Sequence, residues 1–123
     1  MSMKNFIEYD EEADTLILRK ENEKVEESIN DRYICLLELN KEKQIIGLEF
    51  LGFRKTFNIS LDVLNNLKDS EVLIRYEHKA KILYINVKLK YQKEKETIAI
   101  PVNFDMGKED FILSNFEEAN AAV

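Results

Sequence analysis

Residues 7–20 read IEYDEEADTLILRK. Four acids, Asp10, Glu11, Glu12 and Asp14, lie between two apolar runs. The runs NFIEY (5–9) and TLILRK (15–20) are short and rich in aliphatic and aromatic residues, the pattern of β-strands. The acids between them read either as the polar turn of a hairpin or as a cation or catalytic site.

A second stretch helps to separate these readings. Shifting the chain by 67 residues lays IEYDEEADTLIL (7–18) on IRYEHKAKILYI (74–85). Ile7 meets Ile74, Tyr9 meets Tyr76, Ala13 meets Ala80 and Leu16 meets Leu83. The acids fare differently: Asp10 meets Glu77, but Glu12 meets Lys79 and Asp14 meets Lys81. A duplicated hairpin explains the shared apolar frame and needs only polar turn residues with a small Ala. The cation reading rests on Asp10, Glu12, Asp14 and Glu21, which fall at positions one, three, five and twelve of an EF-hand-like frame. Calcium takes about six to eight oxygens, so the spacing has a rationale. Against it, Thr15 stands where the sharp turn wants Gly, and the flanks read as strands rather than helices.

Working outward, ENEKVEESIN (21–30) reads as an acidic loop. DRYICLLELN (31–40) and QIIGLEFLGF (44–53) read as strands joined by a polar turn that Asn40 opens. Gly47 interrupts a strand, which signals a bulge or a close backbone approach. SLDVLNNLK (60–68) is the one expected helix, with Ser60 as N-cap and Asp62 near the positive end of its dipole. Strands resume at 71–78, 81–91 and 96–104. Pro101 lacks an amide donor and points to an edge strand or a bulge. Phe111, Ile112 and Phe116 are expected to pack, and the final NAAV to fray.

The chain has 123 residues, 45% hydrophobic and 34% charged, which suits one globular domain over 1–123. No apolar run approaches the roughly 20 residues of a membrane span, and the first residues turn acidic at once. Cys35 is alone in an apolar run, which suggests burial and a reducing compartment. A soluble cytoplasmic protein is the expectation. The net charge of −6 disfavours bulk binding to nucleic acid or anionic lipid. The charge is uneven: residues 8–31 carry ten acids against three bases, residues 72–97 seven bases against three acids. Lys79, Lys81, Lys88, Lys90, Lys93 and Lys95, with Tyr76, Tyr84 and Tyr91, could form a basic sheet face with stacking rings for nucleic acid. The plainer reading is a lysine-guarded edge that blocks unwanted strand pairing.

Catalytic and cofactor patterns are thin. Gly47, Gly52 and Gly107 do not cluster into a phosphate loop, and one Cys with one His does not make a zinc site. His78 reads as an exposed turn residue, and Ser28 and Ser60 have no triad context. No catalytic residue and no cofactor are expected.

YDEEADTLIL (9–18), VEES (25–28) and NKEKQIIGLEFLGF (40–53) together resemble the prokaryotic family known as domain of unknown function 2283. The matching positions are Tyr9, Asp10, Ala13, Asp14 and Leu16, then Ile46, Gly47, Leu48, Glu49 and Phe50. Lys43 stands where the family often has Gly, and Ile17 where it often has Tyr. The resemblance covers about residues 6–68 and implies a small β-rich domain with a helix and no established activity. It also implies an antitoxin-like or accessory role.

The expectation is an α+β fold, mainly antiparallel β, built from two related hairpin units, a family-like one over 5–69 and a degenerate one over 70–118, with one short helix near 60–68. The expected function is a non-enzymatic protein-interaction module that self-associates as a homodimer. The alternatives are nucleic-acid binding through Lys79, Lys81, Lys88, Lys90, Tyr84 and Tyr91, and a cation-dependent role for the acidic turn.

Overall fold

The computed structural model describes residues 5–31, 33–91 and 97–111. Along these residues the elements run β1 (Asn5–Asp10), β2 (Thr15–Lys20), β3 (Glu27–Asn30), β4 (Cys35–Leu39), β5 (Ile45–Leu51), α1 (Phe53–Phe57), α2 (Leu61–Asn65), β6 (Leu67–Glu77), β7 (Ile82–Tyr91) and β8 (Thr97–Asp105). The fold is mainly antiparallel β with two short helices, an α+β architecture.

The strands form two sheets. One has five strands in the order β1-β2-β5-β4-β3, the other three in the order β6-β7-β8. After β2 the chain crosses to the far edge as β3 and works back through β4, so that β5 closes against β2. Period-two alternation sets the faces. In β7, Leu83, Ile85, Val87 and Leu89 are buried, while Tyr84, Asn86, Lys88 and Lys90 face outward. The inward faces of both sheets feed one apolar cluster, with Leu16, Leu18, Leu48 and Phe50 from the first and Leu83, Val87 and Phe104 from the second. Removing this much apolar surface from water is the main stabilising term.

The 7–20 stretch is a hairpin. β1 pairs with β2 from Asn5↔Lys20 to Asp10↔Thr15. β6 and β7 pair in the corresponding register, Ile74↔Ile85, Tyr76↔Leu83 and Glu77↔Ile82. The last residue of each turn, Asp14 (φ 51°) and Lys81 (φ 58°), is left-handed.

Asn40 opens the β4–β5 turn as expected, its Oδ1 accepting the amides of Glu42 and Gln44 at 3.0 and 2.9 Å. Pro101 lies on the edge strand β8, opposite Asn86. Cys35 is buried.

Four expectations need correction. The 21–30 segment is not all loop. Residues 27–30 pair with β4, Ile29 opposite Leu37, and Glu27 is ion-paired to Lys43. The strand expected from residue 31 starts at Cys35, because Asp31 folds a turn by accepting the amides of Tyr33 and Cys35. The strand expected to 53 ends at Leu51. Gly52 turns the chain at φ 61° and a second helix, α1, follows; Phe53 is buried with its ring 5.0 Å from Phe57. The helix expected over 60–68 stops at Asn65. Its start is as read, with Ser60 Oγ accepting the Val63 amide at 3.3 Å. It stops because Leu67 already pairs with Tyr91 at the end of the β6–β7 ladder. A few turns of helix have little intrinsic stability against eleven residues of strand pairing. Residues 93, 95, 112 and 116 and the NAAV end lie outside the described residues.

Candidate functional site

The acidic turn and α1 meet over a cleft of about 440 Å³, lined by Tyr9, Glu11, Asp14, Arg54, Lys55, Asn58, Ile59 and Ser60. Asp14 is its pivot. The Tyr9 hydroxyl donates to Asp14 Oδ1 at 2.6 Å. The amide of Arg54 donates to Oδ1 at 2.8 Å and that of Lys55 to Oδ2 at 3.1 Å. The Asp14 main-chain oxygen accepts the amide of Phe53 at 3.0 Å. The first amides of a helix have no partner inside it. The residue before α1 is Gly52, which has no side chain to supply one. Asp14, forty residues earlier in the chain, supplies it instead and serves as a remote cap. Its left-handed backbone, tolerated best by Gly, Asn and Asp, aims the carboxylate at α1.

This geometry fixes the protonation of the pair. Partial burial pulls the Asp14 carboxyl upward, but hydrogen bonds from Tyr9, Arg54 and Lys55 outweigh it and hold it below the usual carboxylate range. Burial, then the bond to Asp14, pushes the Tyr9 phenol up to about 12. Asp14 is thus a weak base and Tyr9 a weak acid at neutral pH. Asp10 is also committed, its Oδ1 accepting the Ala13 amide at 3.1 Å and tightening the turn.

The other acids of the expected cation set do not converge on Asp14. Glu12 is exposed in the turn. Glu21 follows β2 at its far end, about 20 Å away at the usual rise per strand residue. Among the described residues no group of three or more His, Cys, Asp or Glu side chains is arranged to hold a metal ion.

A second polar cluster lies on the outward face of the five-stranded sheet. Arg19 grips Glu38 through two hydrogen bonds, Nε to Oε1 at 2.9 Å and Nη2 to Oε2 at 2.8 Å. Glu38 is 2% exposed and sits over Gly47, its Cα partner on β5. A Cβ on Gly47 would lie 2.5 Å from Glu38 Oε1 and 2.8 Å from the Leu18 carbonyl oxygen, so this is the close approach that the lone strand glycine signals. The register shifts beside it, between Glu38 and Leu39. Burial, then the neighbouring Glu38 charge, raises the Glu49 carboxyl above its ordinary range, with Arg19 pulling the other way.

The basic set divides. Lys79 and Lys81 are exposed in the β6–β7 turn, while Lys88, Lys90 and Tyr84 share the outward face of β7. Tyr91 falls on the opposite side of the strand by parity. Lys90 is ion-paired to Glu71 at 3.5 Å, and the Arg75 guanidinium covers the Tyr84 ring at 4.4 Å. His78 is an exposed turn residue whose ring meets Tyr76 edge-on. Burial raises the Cys35 thiol far above its free value, which makes it inert.

Sequence reasoning missed the capping role of Asp14 because it missed α1. The signal was present in LGFRKTFN: Gly52 and Asn58, both left-handed, bracket a Phe53–Phe57 pair at helical spacing.

The fold and site define a small antiparallel β protein in which a hairpin acid caps a helix distant in sequence. The chain belongs to the family described as protein of unknown function (DUF2283), whose profile matches residues 7–54. An uncharacterised protein of Methanocaldococcus jannaschii is 32% identical over 101 residues, covering 78% of this chain and 81% of the relative. No solved structure matches the chain. The family segment holds both halves of the cap, Tyr9 with Asp14 at one end and Phe53 with Arg54 at the other.

Proposed function

We propose that this protein is a non-enzymatic protein-interaction module that self-associates, with an antitoxin-like or accessory role beside a second protein. The fate of the family acid carries this reading. Asp14 spends its acceptors on Tyr9, Arg54 and Lys55, so the most recognisable polar residue of the signature holds the fold together. Meanwhile both sheets keep large apolar side chains in the open, Leu51 on the first and Leu73 on the second. Exposed apolar residues on sheet faces favour a protein partner. The module works in the cytoplasm, where a lone buried thiol such as Cys35 stays reduced. The two hairpins are read as copies of one unit, supported by their corresponding registers and left-handed turn residues.

Light scattering after size exclusion tests self-association. A mass of twice the chain at high concentration supports it, and a strict monomer throughout sinks it. A second reading, nucleic-acid binding, draws on Lys88 and Lys90 sharing one face with Tyr84. It predicts salt-sensitive retention of an oligonucleotide that Lys88→Glu with Lys90→Glu abolishes. No retention at low salt removes it.

A further inference from the structure

We propose that two copies of this chain meet through the outward face of the three-stranded sheet, stacked face to face about a two-fold axis that crosses the strands over Asn86. The inference rests on the self-association reading and names its surface.

The central row of this face is Leu73–Asn86–Pro101, one residue from each strand. Leu73 and Pro101 are exposed, and a shallow hollow of about 240 Å³ lies around them. Asn86 Oδ1 is buried without a hydrogen-bond partner. An orphan acceptor between two apolar residues costs free energy until a donor arrives. An amide carries both donor and acceptor. Two Asn86 side chains related by a two-fold axis therefore satisfy each other reciprocally after a turn about χ2, and a second copy of the same chain supplies that match by symmetry.

The rows on either side agree. An axis across the strands inverts the row order, so the row Arg75–Tyr84 of one copy lies over the row Glu71–Lys88 of the other. Arg75, which lies over its own Tyr84 ring, then faces Glu71 of the second copy, opposite in charge and also paired with Lys90. An axis along β7 would instead lay β6 over β8, setting Arg75 over Asn103 and Lys88 on Lys88. Charge thus selects the crossing axis. In the outermost rows Glu77 would approach Asp69, but the twist of two stacked sheets splays their corners apart. Only the three central rows are required to meet.

Stacked sheets lie about 10 Å apart, too far for a direct disulfide between strand residues, so a short bis-maleimide is the right probe. Pro101→Cys, in the same central row and with Asn86 left in place, is expected to cross-link into a covalent dimer, and Leu51→Cys, on the other sheet, to remain single. Independently, Arg75→Glu and Glu71→Arg are each expected to raise the dimer dissociation constant about tenfold, and the double variant to return it to within about threefold of the parent. Circular dichroism checks that each variant is folded. A parent dimer that loses nothing in either single variant, or that cross-links at Leu51→Cys and not at Pro101→Cys, overturns this surface and leaves self-association standing. A strict monomer overturns both, as does a monomer that uses this face to retard an oligonucleotide.

Discussion

The hairpins β1–β2 and β6–β7 are the same device used with and without a load. Both cross a four-residue turn, both end it in a left-handed residue, and both pair their strands in the same relative register. In each, the main-chain oxygen of that residue accepts a later amide: Asp14 from Phe53, Lys81 from Met106. The side chains differ. Asp14 reaches on to cap α1 and to hold Tyr9, whereas Lys81 stands exposed and Tyr76 packs on His78 and Phe111. The turn therefore does not need the acid. What needs the acid is the helix that follows β5.

That contrast can be attacked at its shared frame first. Leu16 and Leu83 occupy equivalent places and both are 0% exposed. Leu16→Ala and Leu83→Ala are each expected to cost about 2–5 kcal/mol. Chemical denaturation of both variants checks this; a large loss at only one position would break the equivalence. Next is a feature that the second sheet lacks. Gly47→Ala drives a methyl against Glu38 and the Leu18 carbonyl, and the rigid backbone oxygen has little room to yield. A loss of about 1–3 kcal/mol is expected from the same denaturation curves.

The sharpest comparison exchanges the turn residues. Asp14→Ala leaves two helix amides without their acceptor and is expected to cost about 1–2 kcal/mol, while Lys81→Ala stays within about 0.5 kcal/mol. The Asp14 contribution has a pH signature. Its folded pKa is depressed, so the contribution is complete above the unfolded value of about 3.9 and disappears as pH falls through the lower folded value. The gap between the parent and Asp14→Ala should close in acid. The smallest effect belongs to Glu49. Its folded pKa is raised, so its stabilising contribution is complete below the unfolded value of about 4.3 and is lost as pH rises through the folded value. Glu49→Gln should flatten that decline, which thermal melts across the acid range would detect.

Much of the architecture was legible in the sequence. Period two in KILYINVKLKY, the asparagine turn at Asn40 and the lone strand glycine each has a local physical cause, and each falls where its cause puts it. What was hidden depends on distance. β3 is short and carries Glu27, so composition argued for a loop; its pairing with β4 and the Lys43 ion pair prevail. α1 is too short to announce itself, and it exists because Phe53 is buried and Asp14 is in place. The role of Asp14 could not be read from the acidic turn alone, because its partners lie forty residues away.

The remote cap also makes α1 a reporter. A five-residue helix held by its own bonds would fray on its own, and its amides would trade hydrogen with water through small local openings. The amides of Arg54 and Lys55 are tied instead to a residue whose position is set by the β1–β2–β5 ladder. Their exchange rates should follow opening of that ladder, so two backbone protons outside the sheet read out the cooperative stability of the sheet itself.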